Sequence, residues 1–232
     1  MNAAMLPFDK AKIEELAASW PTPFYIYDAR GIAENAARMK SAFAWNARWR
    51  EHFAVKATPN PAILSIFKQA GFGADCSSLA ELRLAEAAGF TGDEIVFTSN
   101  DTPWEEFAEA WRLGAAINLD DAAHWNMLTA IAGKDASFAG RTMGCRLCPE
   151  RVASSNGIIG SPEEAKFGMT RDQAIECYAR MGAAGVERFC LHAMVVSNEL
   201  DAGAIAANAQ ILLDTAREIE KKARVRIASV NI

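Results

Sequence analysis

From about residue 46 to its last residue, the chain alternates short apolar runs with longer segments whose apolar positions follow a helical spacing. Short apolar runs bounded by turn residues are typical of buried strands, and strands that alternate with helices indicate βα units around a parallel sheet. We therefore predict an α/β fold. The predicted strands are Phe53–Lys56, Gly73–Cys76, Ile95–Thr98, Ala115–Leu119, Arg141–Leu147, Arg188–Val195 and Arg226–Ile232.

Capping signals mark where several of the helices between these strands begin. A side-chain oxygen placed just before a helix accepts a hydrogen bond from a free backbone N–H of the first turn, and proline is favoured at the first helical position. The signals are Asn60 before Pro61, Ser78-x-x-Glu81, Thr102-Pro-Trp-Glu105 and Thr170-x-x-Gln173.

The first 45 residues are predicted to lead into this repeating region. We expect a helix from about Asp9 to Ala18, a strand over Pro23–Asp28 and a helix from about Ala29 to Phe43. No glycine/serine-rich linker interrupts the series that follows, so residues 46–232 are predicted to form one barrel-like domain.

Two architectures fit a parallel βα series: an open doubly wound sheet and a closed eight-stranded barrel. The open sheet lacks its usual support, because no G-x-G-x-x-G motif follows a predicted strand. A barrel accounts for polar residues at strand carboxyl ends, where barrel enzymes build their sites. We therefore predict a (β/α)8 barrel that stops after about seven strands. The polar residues are Lys56, Asp75, Asn100, Asp120 and Arg146.

Composition narrows the classes of partner. The net charge of −5 and the absence of a lysine/arginine cluster argue against a nucleic-acid surface. No apolar run approaches the roughly 20 residues of a membrane helix, and the first residues do not resemble a signal peptide. We expect a cytoplasmic protein with no membrane or nucleic-acid partner.

Five cysteines fit a reducing compartment, and the isolated pair Cys145 and Cys148 is interpreted as structural, with no metal site.

Lys56 is the residue with the clearest chemical potential. It ends an apolar run and is followed at once by a turn and a helix start, so its amine is predicted to lie at the carboxyl end of a buried strand. Desolvation lowers the pKa of such an amine and makes it a nucleophile toward carbonyl compounds. The alternative is a lysine that extends its ammonium group to solvent.

The residues around Lys56 carry a family resemblance. Ala54-Val55-Lys56-Ala57-Thr58-Pro59-Asn60-Pro61 resembles the A-V-K-A-N-P-N-P motif of the fold-type III pyridoxal-phosphate decarboxylases, with Thr58 in place of the common asparagine. These enzymes act on diaminopimelate, ornithine, arginine or carboxynorspermidine. The resemblance implies a barrel of the alanine racemase type, with pyridoxal phosphate linked to Lys56 as the catalytic lysine.

Further motifs extend this resemblance from about Thr22 to the end of the chain. They occur in the family's order and resemble its G-A-D-x-x-S-x-x-E-L, I-x-F-x-G-N, I-N-x-D and S-K-F-G motifs and its strand arginine. The corresponding segments are Gly73–Leu82, Ile95–Asn100, Ile117–Asp120, Arg146 and Lys166–Gly168.

The resemblance assigns cofactor-binding roles to several residues. It implies that Asp75 lies beside the lysine-linked cofactor, that Arg146 meets an anionic partner and that Ser197 approaches the phosphate. Met194 occupies the position of the family's second histidine, which stacks on the cofactor ring, and is either a thioether substitute or a core residue. Possible supporting residues, each with a packing or capping alternative, are Ser78, Glu81, Asn100 and His192.

The implied reaction is decarboxylation of an amino acid, with meso-diaminopimelate giving L-lysine as the favoured case and ornithine, arginine or carboxynorspermidine as alternatives. The family's phosphate loop, its E-P-G-R motif and its β-domain follow the seventh strand, where Ile232 ends the chain. We therefore expect the amino-terminal portion of a decarboxylase, inactive by itself and homodimeric at full length. A different class remains open: a non-catalytic pyridoxal-phosphate-binding barrel with a homeostatic or regulatory role.

Overall fold

Seven strands lie side by side in the order in which they occur along the chain, and every neighbouring pair is parallel. The computed structural model describes residues 7–134, 136–150, 152–154, 167–195 and 198–232. The strands are β1 (His52–Ala54), β2 (Gly73–Cys76), β3 (Ile95–Ser99), β4 (Ala116–Leu119), β5 (Thr142–Arg146), β6 (Arg188–His192) and β7 (Ile227–Asn231).

Helices connect consecutive strands in this series. Right-handed crossovers with no reversal of strand order put all the helices on one face, which is the topology of a barrel wall. A doubly wound sheet would instead reverse its strand order. The predicted α/β barrel fold with seven strands is thus confirmed. The helices of this region are α3 (Pro61–Gln69), α4 (Leu79–Ala87), α5 (Trp104–Leu113), α6 (Ala122–Ala132), α7 (Arg171–Ala183) and α8 (Ala202–Ala223).

All seven predicted strands are present: β2 has the predicted bounds, and the bounds of five others differ from the predicted ones by one or two residues. The exception is β6, which ends at His192, three residues before the predicted end at Val195. Every residue of β3 and β4 is buried, as expected for strands covered on both faces. Among the described residues, the first and last strands, β1 and β7, pair on one side only, and both are partly exposed.

Most of the capping signals behave as predicted. Asn60 Oδ1 accepts a hydrogen bond from Ala62 N, and Thr170 forms a capping box with Gln173 at the start of α7. The signal Thr102-Pro-Trp-Glu105 marks the start of α5 at Trp104, but Thr102 itself does not cap the helix, whose N-cap residue is Pro103. The buried Thr102 hydroxyl donates to the Ser99 carbonyl instead, which ties the turn back to β3.

The chain divides into two compact units, residues 1–49 and 50–232. The first contains α1 (Lys10–Ser19) and α2 (Ala29–Ala42), close to the predicted bounds. The predicted strand Pro23–Asp28 is wrong: within the described ranges these residues belong to no strand, and Tyr25 is 90% exposed. Residues with high strand propensity form a strand only where a partner strand and a packed face are available.

In the ranges that the structure describes, no helix has both the length and the apolar composition needed to span a bilayer.

Candidate active site

The carboxyl ends of the seven parallel strands meet at one edge of the sheet, and ionisable side chains from four of the βα units converge there. Lys56 follows β1, Asp75 lies in β2, Arg146 ends β5 and His192 ends β6. The charges of Lys56 and Arg146 act on the pKa values of both Asp75 and His192, so the four groups form one electrostatic cluster.

Lys56 lies in a single 3-10 turn, Val55–Ala57, between the end of β1 and the start of α3. Val55 is fully buried and anchors the turn, whereas Lys56 is exposed. The prediction that Lys56 ends a buried strand is therefore wrong in detail. Within the described ranges the strand pairs only with β2 and is half-buried, and Lys56 in the turn that follows is exposed.

Asp75 is the carboxylic acid of this cluster, and its pKa is strongly shifted. Burial raises its pKa from the ordinary value of 3.8 to about 6, because desolvation penalises the carboxylate form. The positive charges of Lys56 and Arg146 lower the pKa, while the carboxylates of Glu81 and Glu51 raise it. A carboxyl group with this pKa can exchange a proton near neutral pH, which is a property common at functional sites.

Arg146 is held by Asp120, which follows β4. Their closest atoms, Arg146 Nη1 and Asp120 Oδ1, are 3.4 Å apart, and the side chains are 15% and 7% exposed. The structure gives Asp120 and its neighbour Asp121 different roles. Asp121 caps α6 through Ala123 N, while Asp120 faces the strand end.

His192 lies at the end of β6 and is 9% exposed. Burial lowers its pKa to about 4, helped by the charges of Arg146 and Lys56 and opposed by a hydrogen bond with the Asn231 side chain. The ring is therefore neutral at physiological pH. Its buried Nδ1 atom has no hydrogen-bond partner among the described residues. Sequence reasoning did not identify Asn231, because the partner lies on a different strand, β7, whose register with β6 includes a bulge.

Ser78 and Glu81 have the local role that a capping motif predicts. Ser78 Oγ accepts a hydrogen bond from Glu81 N, and the Glu81 carboxylate accepts bonds from Ser77 N, at 3.0 Å, and from both serine hydroxyls. Glu81 also contributes to the raised pKa of Asp75. It thus caps α4 and belongs to the charge cluster as well.

The remaining predicted residues differ in their positions. Asn100 is exposed at the end of β3, and no described interaction joins it to the cluster. Met194 follows β6 and is 45% exposed, which excludes the alternative interpretation as a core residue. Ser197 lies outside the described residues, as does Lys166 of the S-K-F-G-like motif.

The cysteines give no sign of metal binding. Within the described ranges, no group of three or more histidine, cysteine, aspartate or glutamate residues could hold a metal ion. Cys145 is buried in β5, where burial raises its pKa well above the ordinary value and Tyr178 accepts a hydrogen bond from its backbone N–H. Cys148, three residues on, is only partly buried.

A comparison with known families decides what this arrangement belongs to. The family model "Pyridoxal-dependent decarboxylase, pyridoxal binding domain" matches residues 29–224, which include every described member of the cluster. The chain belongs to the pyridoxal-dependent decarboxylase family. The resemblance found in the sequence motifs is thereby confirmed, as is the expectation of pyridoxal phosphate as the cofactor of the family.

Individual relatives agree with this family assignment. The chain is 36% identical to Protein TabA of Pseudomonas amygdali pv. tabaci over 95% of its own length. It is 30% identical, over 94% of its length, to a diaminopimelate decarboxylase of Methanothermobacter thermautotrophicus. The aligned regions are 50% of each of these proteins, so the chain spans about half the length of the curated relatives it matches.

Solved structures show the same fold. A mutant of diaminopimelate decarboxylase from Helicobacter pylori, complexed with L-lysine, superimposes with a TM-score of 0.81 at 25% identity. That match covers 94% of the chain and 55% of the solved structure. The diaminopimelate decarboxylase from M. jannaschii gives a TM-score of 0.82 at 23% identity, which supports the fold.

The described residues offer groups that fit pyridoxal phosphate. Lys56 provides an accessible primary amine for its aldehyde. Arg146 uses one guanidinium nitrogen for Asp120, and its other N–H groups make no hydrogen bond within the described ranges. A guanidinium group is a donor suited to an anionic oxygen. The buried Nδ1 of His192, which has no hydrogen-bond partner in the described part of the chain, adds a polar atom at the same edge.

The raised pKa of Asp75 predicts a gain in stability when its charge is removed. The folded chain binds this proton more tightly than the unfolded chain, so the group's contribution to stability falls as the pH rises from about 4 to about 6. We expect Asp75→Asn to raise the free energy of unfolding by about 2 kcal/mol at pH 8, and by much less at pH 4. Urea unfolding at the two pH values measures this difference.

Asp101→Asn, which removes an exposed carboxylate just beyond β3, serves as the matched control. It is expected to change the free energy of unfolding by no more than about 0.5 kcal/mol at either pH. A gain for Asp75→Asn of equal size at pH 4 and pH 8, or a loss at pH 8, would contradict the role assigned to desolvation.

Proposed function

We propose that this chain binds pyridoxal phosphate through Lys56 and forms the cofactor-binding part of an amino-acid decarboxylase. The observation that carries the proposal is the convergence of Lys56, Asp75 and Arg146 at the carboxyl edge of a sheet in a chain of this family. The favoured reaction is conversion of meso-diaminopimelate to L-lysine. It is supported by relatives named diaminopimelate decarboxylase that are 30% and 31% identical to the chain.

When bound, pyridoxal phosphate supplies an electron-poor ring that accepts the electron pair left behind as carbon dioxide departs from the amino acid. The protein's own residues must hold the cofactor, offer an amine and manage protons. Lys56 offers the amine: its exposed Nζ can attack an aldehyde once it has lost its proton.

Asp75 is suited to proton management beside that amine. With a pKa of about 6, its carboxyl group is mostly ionised at neutral pH but can take up a proton at Oδ. In the ionised form it stabilises positive charge on Lys56 or on a bound ring. Glu81, fixed by its hydrogen bonds at the start of α4, keeps a second carboxylate near this position.

Arg146 contributes a positive charge, and His192 contributes an uncharged ring. The partly buried guanidinium of Arg146 can donate to an anionic oxygen of a cofactor or substrate. Because the pKa of His192 is lowered to about 4, its ring adds no charge at this edge and can pack against an uncharged part of a ligand. The roles of Met194 and Ser197, homodimerisation of the full-length protein and a cytoplasmic location stay predictions.

The cofactor proposal predicts that Lys56 is required for specific binding of pyridoxal phosphate. Titrating the purified 232-residue chain should give a saturable visible absorbance typical of lysine-linked pyridoxal phosphate. Lys56→Ala should abolish this signal, because the amine is lost. Lys221→Ala, which removes an exposed lysine in the last turn of α8, should leave it unchanged. An equal signal from Lys56→Ala and the unaltered chain would refute the role of Lys56.

The substrate proposal concerns the whole protein that carries this chain. The protein should be tagged at the chromosomal copy of its gene, purified from the cells that make it, and assayed for carbon dioxide release. We expect release from meso-diaminopimelate, with L-lysine as the product detected by mass spectrometry, to exceed release from ornithine, arginine and carboxynorspermidine. Faster release from any of those three would contradict the choice of diaminopimelate, while no release from any of them would favour the non-catalytic alternative.

A further inference from the structure

Asp120 has an arrangement that neither capping nor simple packing explains. It follows the buried strand β4 and is itself 6% exposed, yet no helix cap uses its side chain. Its two carboxylate oxygens bind two different partners: Oδ1 faces Arg146 Nη1 at 3.4 Å, and Oδ2 accepts a hydrogen bond from Gly168 N at 3.1 Å. A buried carboxylate is tolerated when both of its oxygens are satisfied in this way.

The second partner belongs to a segment, Phe167–Met169, that crosses the end of β5. Met169 N donates to the Arg146 carbonyl at 2.8 Å, and Cys148 N donates to the Met169 carbonyl at 2.9 Å. Gly168 has a φ of +89°, and a Cβ atom there would lie 2.9 Å from Cys148 N. Only glycine allows the segment to approach the strand this closely.

This segment also brings an aromatic ring to the guanidinium group. The Arg146 Cζ atom lies 5.1 Å from the centroid of the Phe167 ring, within the range of a cation–π contact. Arg146 is therefore restrained by Asp120 and, through the segment that Asp120 also holds, by Phe167. The charge of Arg146 in turn acts on Asp75 and His192.

We infer that Asp120 is a positioning residue that fixes Arg146 and the Phe167–Met169 segment in the geometry needed to bind the anionic cofactor. The inference rests on the proposed function, because the ligand of Arg146 is taken to be pyridoxal phosphate. A purely structural role would need only the bond to Gly168. The contact with Arg146 is what links Asp120 to the site.

The test compares substitutions of two neighbouring acids, each of which removes one negative charge. In Asp120→Asn the single remaining oxygen cannot accept from both Arg146 and Gly168, so one partner is released. In Asp121→Asn the cap of α6 is retained, because an asparagine oxygen can still accept from Ala123 N. Each variant of the 232-residue chain is titrated with pyridoxal phosphate, and the dissociation constant is obtained from the absorbance that depends on Lys56.

We expect Asp120→Asn to weaken binding about tenfold, on the scale of one charge-assisted hydrogen bond. Asp121→Asn should stay within about twofold of the unaltered chain. Asp120→Glu, which retains two carboxylate oxygens, should recover most of the affinity. Hydrogen exchange in the chain without cofactor gives an independent measure: the amides of Phe167–Met169 should exchange faster in Asp120→Asn than in Asp121→Asn.

A double-mutant cycle with Arg146→Gln identifies the route of the effect. If Asp120 acts through Arg146, adding Asp120→Asn to Arg146→Gln should cause little further loss of affinity. Full additivity, or faster exchange in Asp120→Asn with an unchanged dissociation constant, would overturn the inference and leave Asp120 a structural residue only. An unaltered chain with no absorbance that depends on Lys56 would overturn the proposed function, and this inference with it.

Discussion

The parallel, sequential order of the strands is the constraint on which the rest of the structure depends. Burial of β3 and β4 on both faces fixes the centre of the sheet, and each crossover returns the chain in the same direction. Residues that are far apart in sequence therefore reach one edge whenever they follow a strand. Lys56 and His192 lie 136 positions apart in the sequence, and they share an electrostatic environment for this reason.

Some of the charged side chains at this edge are confined, and others are exposed to solvent. The two acids that are most confined, Asp75 and Asp120, have different means of tolerating burial. Asp120 has a cation and a backbone N–H as partners, whereas no described hydrogen bond involves the carboxylate of Asp75, and its pKa rises. The first arrangement suits a fixed support, and the second suits a group that exchanges protons. Lys56, in the turn after β1, is exposed.

The fold was predictable from the sequence because its signals are local and repeated. Apolar runs, capping residues and the spacing between them predicted all seven strands of the sheet. The absence of a dinucleotide motif and the positions of polar residues favoured a barrel over a doubly wound sheet. The predicted strand at Pro23–Asp28 is wrong, since strand propensity does not reveal whether a partner strand exists.

The site was predictable in its members but not in their environments. The motif around Lys56 predicted a reactive role for this lysine, but its exposure depends on the turn after β1 and on the pairing of β1, within the described ranges, with a single neighbour. Two adjacent acids, Asp120 and Asp121, could not be assigned from sequence, because the roles are set by the direction of each side chain at the end of β4. The pairing of His192 with Asn231 depends on the register between two strands.

The central claim is that Lys56 is the amine that takes up pyridoxal phosphate. The most direct measurement is to incubate the chain with pyridoxal phosphate, reduce the mixture with borohydride, digest it and locate the phosphopyridoxyl mass by tandem mass spectrometry. The account predicts one dominant modified residue, Lys56, at stoichiometric yield with limiting cofactor. Labelling spread over the other exposed lysines in proportion to their accessibility, with no preference for Lys56, would contradict it.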